Sequence, residues 1–180
     1  MVNRRQFLTQ GAFGLGGLFL FSSFRSAPDE KPAQLENSLV RDFVGKAHRD
    51  KDAVVKMFAE HPTLLNAAYD HGGGDFETAL GAASHVGYTE LVTWLVENGA
   101  QMNFLTLCLL GKTEIVKSML DLYPHLIHMK GPHGFTPLHH ANNGGEDAAA
   151  VKKLLEERGA VETKVKLIFP VIAVPAGEGK

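Results

Sequence analysis

The sequence predicts an all-α protein in which helix pairs form an array of four repeats. The first observation is a helical pattern that recurs in four segments, which align on Val55, Val92, Val116 and Val151. The second is the apolar spacing i, i+3, i+4 within these segments, which is typical of helices that bury one face. The third is the composition, 44% hydrophobic and 21% charged, which is typical of a globular domain.

Each element follows from this pattern and from the residues that begin and end helices. The last helix, for example, has Val151, Leu154 and Leu155 at helical spacing and stops before Gly159, the residue type favoured just after a helix. Gly72 to Gly74 indicate a turn between the first two repeats. In chain order, the predicted helices are 38–48, 52–60, 79–85, 89–98, 104–110, 113–121, 137–143 and 147–158, with fingers at 66–77 and 128–135.

The spacing of the four segments indicates an internal duplication. Val92 and Val116 are closer together than the other neighbouring pairs of aligned valines, and the interval between them is too short to include a finger. Two helix pairs therefore form the larger unit: Gly99-Ala100 returns as Gly159-Ala160, and Thr78 returns as Thr136 at nearly the same offset. The chain is predicted to contain two copies of a unit made of a helix pair, a finger and a second helix pair.

Residues 134–141, Gly-Phe-Thr-Pro-Leu-His-His-Ala, match the T-P-L-H-x-A signature that opens an ankyrin repeat. The chain resembles the ankyrin family over about residues 38–160, strongly in the second and fourth repeats and weakly in the others. This resemblance implies an ankyrin-repeat α-solenoid of four helix pairs with two β-turn fingers, which acts by binding other proteins. It also implies a bond between the Thr136 hydroxyl and the His139 ring, for which Thr78 has no equivalent histidine.

The N-terminal residues predict export. Residues 3–9, Asn-Arg-Arg-Gln-Phe-Leu-Thr, resemble a twin-arginine signal, and the apolar stretch Gly11 to Phe21 is too short to cross a bilayer, which takes roughly 20 residues. We expect residues 1–27 to be this signal and the protein to be periplasmic or in the cell envelope. Cleavage after Ala27 would place Arg25 where peptidases require a small residue, so an uncut signal that tethers the protein to the inner membrane stays open.

The segments on either side of the repeats have simpler roles. Residues 28–37 are polar and contain prolines, and they are predicted to be a spacer. Residues 161–180 lie outside the repeat pattern, and we expect an extended tail that covers the end of the array, with a partner-binding strand as the alternative.

Charge and motifs exclude several functions. The segment 1–27 holds three arginines and no acidic residue, so the rest of the chain has a net charge of −5, which argues against binding to nucleic acid. Cys108 is the only cysteine, so no internal disulfide forms, and its apolar neighbours predict a buried, unreactive thiol. The chain has no nucleophile, zinc-protease or phosphate-loop motif. We therefore expect a noncatalytic protein that needs no cofactor.

Two candidate sites remain. The first is a protein-binding surface on the two fingers, next to the gap left by the missing middle finger, where aromatic and charged residues mix as they do in interfaces. The alternative is a metal-binding or enzyme-accessory envelope protein that uses the histidine-rich segment 125–140, although no nearby acidic residue or cysteine completes a ligand set. The partner-binding candidates are Tyr69, Asp70, His71, Asp75, Phe76, Lys130, His133 and Phe135, and the candidate metal ligands are His125, His128 and His133.

Overall fold

The computed structural model describes residues 33–167. The predicted signal at 1–27, most of the spacer and the tail beyond residue 167 lie outside this part of the chain. Within it, residues 33–36 have no regular structure and the first helix begins at Asn37. No helix in the described range has the length and apolar character needed to cross a membrane.

The described residues are mostly helical, as the sequence predicts. Every predicted helix is present, and its ends differ from the prediction by no more than two residues. Short 3-10 turns occur at Pro62–Asn66, Pro124–His128, Pro132–Gly134 and Gly145–Ala148. The helices are α1 Asn37–Ala47, α2 Lys51–Glu60, α3 Ala79–His85, α4 Thr89–Glu97, α5 Phe104–Leu109, α6 Thr113–Leu122, α7 Pro137–Asn143 and α8 Ala149–Glu157.

Four of these helices begin at a side chain that caps them. Asp50 accepts a hydrogen bond from the Ala53 amide at 3.0 Å at the start of α2. Thr78, Asn103 and Thr136 play the same part for α3, α5 and α7. Each cap satisfies an amide that has no partner within the helix, and this contributes about 1 kcal/mol to helix stability.

The helices pack as consecutive pairs whose first members lie side by side. Helix α1 contacts α3, α3 contacts α5, and α5 contacts α7, while each of them also contacts the helix that follows it. Two clusters of buried apolar residues result. One is formed mainly by α1 to α4 and also includes Leu64, Ala100 and, from α5, Leu109, and the other is formed by α5 to α8. Each half of the chain therefore has its own core.

The two fingers differ in structure. The first contains an antiparallel hairpin of β1 (Ala68–Asp70) and β2 (Phe76–Thr78), joined by a loop with three consecutive glycines that have positive φ angles. The second has no hairpin. Its residue Phe135 instead forms a β-bridge with Lys164, which lies in the chain that follows α8. The amide of Val165 donates to the Gly134 carbonyl at 2.9 Å, so the described part of the C-terminal segment lies along the second finger.

Candidate metal centre

A fully buried carboxylate lies at the base of the first finger. Side chains alternate between the two faces of a strand, so β2 directs Glu77 inward while its neighbour Phe76 is 59% exposed. The Glu77 side chain is 0% exposed, and its Oε1 atom has no hydrogen-bond partner. A buried charge without a partner costs several kcal/mol, so this oxygen requires a neighbouring positive group.

Four histidines from four segments surround this carboxylate. His85, at the end of α3, places Nε2 2.9 Å from Oε1, but off the direction of a hydrogen bond. His133 of the second finger and His48, which follows α1, place Nε2 3.5 Å and 3.7 Å from the same oxygen. His71 lies on the other side and donates from Nε2 to Oε2 at 3.0 Å. Three imidazoles thus meet at Oε1, and the fourth binds Oε2.

Two of the three imidazoles near Oε1 are oriented by hydrogen bonds at Nδ1. His48 Nδ1 donates to the Val44 carbonyl at 3.1 Å, and His133 Nδ1 donates to Asp75 Oδ2 at 2.8 Å. In a neutral imidazole whose Nδ1 carries the proton, Nε2 offers a lone pair. Both rings therefore direct a lone pair toward the buried carboxylate, as histidine ligands do in metal sites.

His133 adopts a backbone conformation that is unusual for a residue other than glycine. Its φ angle is 58°, and no other non-glycine residue within 33–167 has a positive φ. The Asp75 carboxylate holds this conformation because Oδ1 accepts from the His133 amide at 2.9 Å while Oδ2 accepts from the ring. Unusual backbone of this kind is concentrated at functional sites. Here it brings the tip of the second finger against the first.

Aromatic packing fixes the third imidazole. The Phe135 ring stacks between His85, at 4.8 Å between centroids, and His139, at 4.0 Å. His139 Nε2 donates to the His85 carbonyl at 2.7 Å. The family resemblance implied a bond between the His139 ring and the Thr136 hydroxyl, and this expectation is wrong. The hydroxyl donates to the Glu162 carbonyl instead, because the C-terminal segment lies beside it.

The two carboxylates of the site are ionised at neutral pH. Burial alone would raise the pKa of Glu77, but the imidazoles of His85, His48 and His133 outweigh this effect and lower it. Burial also opposes the ionisation of Asp75, but its bonds to the His133 amide and ring lower its pKa below the ordinary value. Glu77 and Asp75 together carry two negative charges, which one divalent cation would balance.

The donor atoms are close enough to share one ion. One ligand atom each from His48, Glu77, His85 and His133 lie within 4.8 Å of one another. Three imidazole nitrogens and a carboxylate oxygen suit first-row transition metals, zinc and copper among them. We call these four residues the His/Glu cluster.

Only some of the site residues predicted from the sequence belong to the His/Glu cluster or contact it. Of the predicted finger residues, His133 is a ligand candidate, Asp75 and His71 bond to the cluster, and Tyr69 packs edge-on against His71. Phe135 supports His85, whereas Asp70, Phe76 and Lys130 are exposed and outside the cluster. The proposed ligands His125 and His128 are exposed and outside it too.

Three of the four cluster residues, His48, Glu77 and His85, are not among the site residues predicted from the sequence. A partial signal was present in the duplication register, which relates Thr78 to Thr136. The same offset relates Asp75 to His133, and these two residues are hydrogen-bonded. Equivalent positions of the two fingers therefore face each other, so the carboxylate absent from segment 125–140 comes from the first finger.

A groove lies between the two fingers, next to the cluster. Its volume is about 370 Å³, and helix α5 contributes to its wall. The sequence predicts a gap at this place because the middle finger is missing. Three predicted partner-binding residues, Asp75, Phe76 and Lys130, line the groove, together with Gly74, Asn103, Leu105, Met129, Gly131, Pro132 and Leu167.

Comparisons with known proteins add no identification. Neither the scan against protein-family models nor the search of curated proteins gives a match to this chain.

Proposed function

We propose that this protein binds a divalent transition-metal ion through the His/Glu cluster. The observation that carries the proposal is the buried Oε1 atom of Glu77, which has no hydrogen-bond partner and lies within 3.7 Å of three imidazole Nε2 atoms. A divalent ion among these atoms would bind lone pairs that otherwise face one another. It would also balance the charges of Glu77 and Asp75.

Protons are the competing explanation for the same geometry. His48 Nε2 and His85 Nε2 are 3.1 Å apart, so one proton between them would join this pair. That proton leaves Oε1 without a donor, because the 2.9 Å contact from His85 Nε2 is off the direction of a hydrogen bond, and Nε2 of His133 and of His48 are 3.5 Å and 3.7 Å away. A metal ion satisfies all four atoms at once, and for this reason we favour it.

Titration of purified protein with Zn²⁺, Cu²⁺, Ni²⁺ and Co²⁺, followed by calorimetry and metal analysis, tests the proposal. We expect one ion per chain. The variant Glu77→Gln, which keeps the side-chain volume and removes the charge, should bind at least about tenfold more weakly. The double variant H125Q/H128Q is the matched control, since both residues are exposed, and it should bind like the wild type. The proposal fails if no ion binds at micromolar concentration or if Glu77→Gln binds equally well.

A protein-interaction role on an ankyrin-type scaffold is the second candidate. It is favoured by the groove between the fingers and by the stacked helix pairs, together with the T-P-L-H-x-A turn at Thr136. Crosslinking in intact cells should capture a partner with the wild type and less of it with Phe76→Ser, which alters an exposed groove residue without touching the cluster. The control is Val86→Ser, which changes an exposed residue that does not line the groove and should capture as much partner as the wild type. If Phe76→Ser also captures as much partner as the wild type, the groove is not the binding surface.

We also propose that the protein acts in the periplasm or cell envelope, on the basis of the twin-arginine-like residues 3–9. Fractionation of cells that express the full chain tests this, and replacing Arg4-Arg5 by Lys-Lys should retain the protein in the cytoplasm.

A further inference from the structure

We infer that the ion is zinc(II) in a closed tetrahedral site, and that it joins the two halves of the chain. This inference rests on the metal binding proposed above and adds the identity of the ion, its coordination and its structural role. Three features of the cluster support it: the spacing of the ligand atoms, the bonds around them, and the segments from which they come.

The spacing of the ligand atoms fits a tetrahedron. Four of the six separations between them are 2.9, 3.1, 3.5 and 3.7 Å, and all six are within 4.8 Å. Zinc bonds of about 2.0–2.1 Å place the corners of a tetrahedron about 3.3 Å apart, within this range. Square-planar coordination, which copper(II) prefers, would instead require two pairs of ligand atoms on opposite sides of the ion, about 4 Å apart. However the opposite pairs are chosen, at least one of them is among the four separations above, and none of these exceeds 3.7 Å.

The surrounding hydrogen bonds limit the site to four protein ligands. His71 occupies Oε2 of Glu77, so the carboxylate offers a single oxygen, Oε1, to the ion. The side chains of Glu77 and His85 are 0% and 8% exposed, which restricts access of water to that side of the ion, whereas those of His48 and His133 are each 28% exposed. Zinc sites with four protein ligands are structural, whereas catalytic sites keep one position for water.

The ligands come from both halves of the chain. His48, Glu77 and His85 belong to the half that contains α1 to α4, while His133 lies between α6 and α7 in the other half. The loops that meet here contain Gly72 to Gly74 and Gly134, which adopt positive φ angles, and glycine loses more conformational freedom on ordering than any other residue. An ion bound to Glu77 and His133 would fix both fingers at their closest approach and define the wall of the groove beside them.

Cobalt(II) substitution tests the coordination. Tetrahedral cobalt absorbs visible light far more strongly than octahedral cobalt, so the wild-type protein loaded with Co²⁺ should turn intensely blue. Zinc should displace this cobalt and abolish the absorption, because zinc(II) takes four-coordinate tetrahedral geometry in structural sites. A weak octahedral spectrum from bound cobalt would overturn the closed tetrahedral site and leave the proposed metal binding intact.

Hydrogen exchange of full-length protein, with zinc or with EDTA, tests the link between the halves. We expect zinc to slow exchange in both fingers of the wild type. In His133→Asn, zinc should bind at least about tenfold more weakly, and at saturating zinc only the first finger should be protected. Asparagine tolerates the left-handed backbone at this position, so the fold should persist. His128→Asn, on the exposed side of the same finger, is the matched control.

The outcomes separate the two proposals. If the wild type binds no ion, the proposed function fails and this inference fails with it. If zinc binds but His133→Asn matches the wild type in affinity and in protection of the second finger, only the link between the halves is refuted. If His128→Asn loses the same protection, the effect belongs to the finger in general and the link is likewise refuted.

Discussion

Acidification should destabilise this protein through His140, a histidine outside the His/Glu cluster. His140 lies on α7 and is 1% exposed, and its Nδ1 atom is 2.9 Å from Ser84 Oγ while Nε2 has no hydrogen-bond partner. Burial is the main cause that lowers the pKa of His140 to about 3, with smaller effects from His139 and His85. The folded protein therefore keeps this imidazole neutral well below neutral pH.

The sign and size of the effect follow from proton linkage. In the unfolded chain His140 has a pKa of about 6.5, so between about pH 6.5 and pH 3 the unfolded state binds more protons than the folded state. The free energy of unfolding therefore falls as the pH falls through this window. Each pH unit below about 6.5 contributes about 1.4 kcal/mol, which amounts to about 2 kcal/mol at pH 5.

Urea denaturation between pH 7.5 and pH 5, with EDTA present to remove metal, measures this loss. The variant His140→Asn places an amide near Ser84 Oγ and cannot be protonated in this range. The variant should be less stable than the wild type at pH 7.5, because the smaller side chain leaves a cavity. The difference should shrink by about 2 kcal/mol at pH 5. If the two curves stay parallel across the range, His140 is not held neutral by burial and the reasoning is wrong.

Three further predictions concern packing. Leu138→Ala should lower the free energy of unfolding, measured by chemical denaturation, by about 2–5 kcal/mol, because Leu138 is only 6% exposed and lies in the second core. A loss below about 1 kcal/mol would contradict this core position. Burial raises the pKa of Cys108 to about 12, so a disulfide reagent should react only after unfolding in urea, and rapid reaction of the folded protein would contradict this. Gly111→Ala should destabilise the protein by more than about 1 kcal/mol, since φ is positive and an added Cβ would overlap the Asp147 carbonyl. Gly45→Ala, on an open position of α1, is its control and should melt at the wild-type temperature or higher.

The candidate site could be predicted only in part from sequence. The sequence indicates His71, Asp75 and His133 as site residues, because aromatic and charged residues on the fingers are typical of a binding surface. The sequence does not predict that they surround a carboxylate, because Glu77 lies in a three-residue strand next to the exposed Phe76 and belongs to no motif. His85 likewise occupies the last position of an ordinary helix. The four cluster residues are spread along the chain from the end of α1 to the second finger, and their spacing matches no local metal motif.

The sequence by itself determined the helices and their pairing. Their boundaries depend on local information: apolar spacing along one helix face, capping side chains such as Asp50 and Asn103, and glycines at helix ends. It also predicts the duplication, since similar spacings recur along the chain. Only the tertiary structure decided which residues meet at the base of the fingers. Stacking of the helix pairs places His133 against Asp75 and Glu77, which are distant from it in sequence. The energy of a buried carboxylate depends on such distant neighbours and not on its own segment.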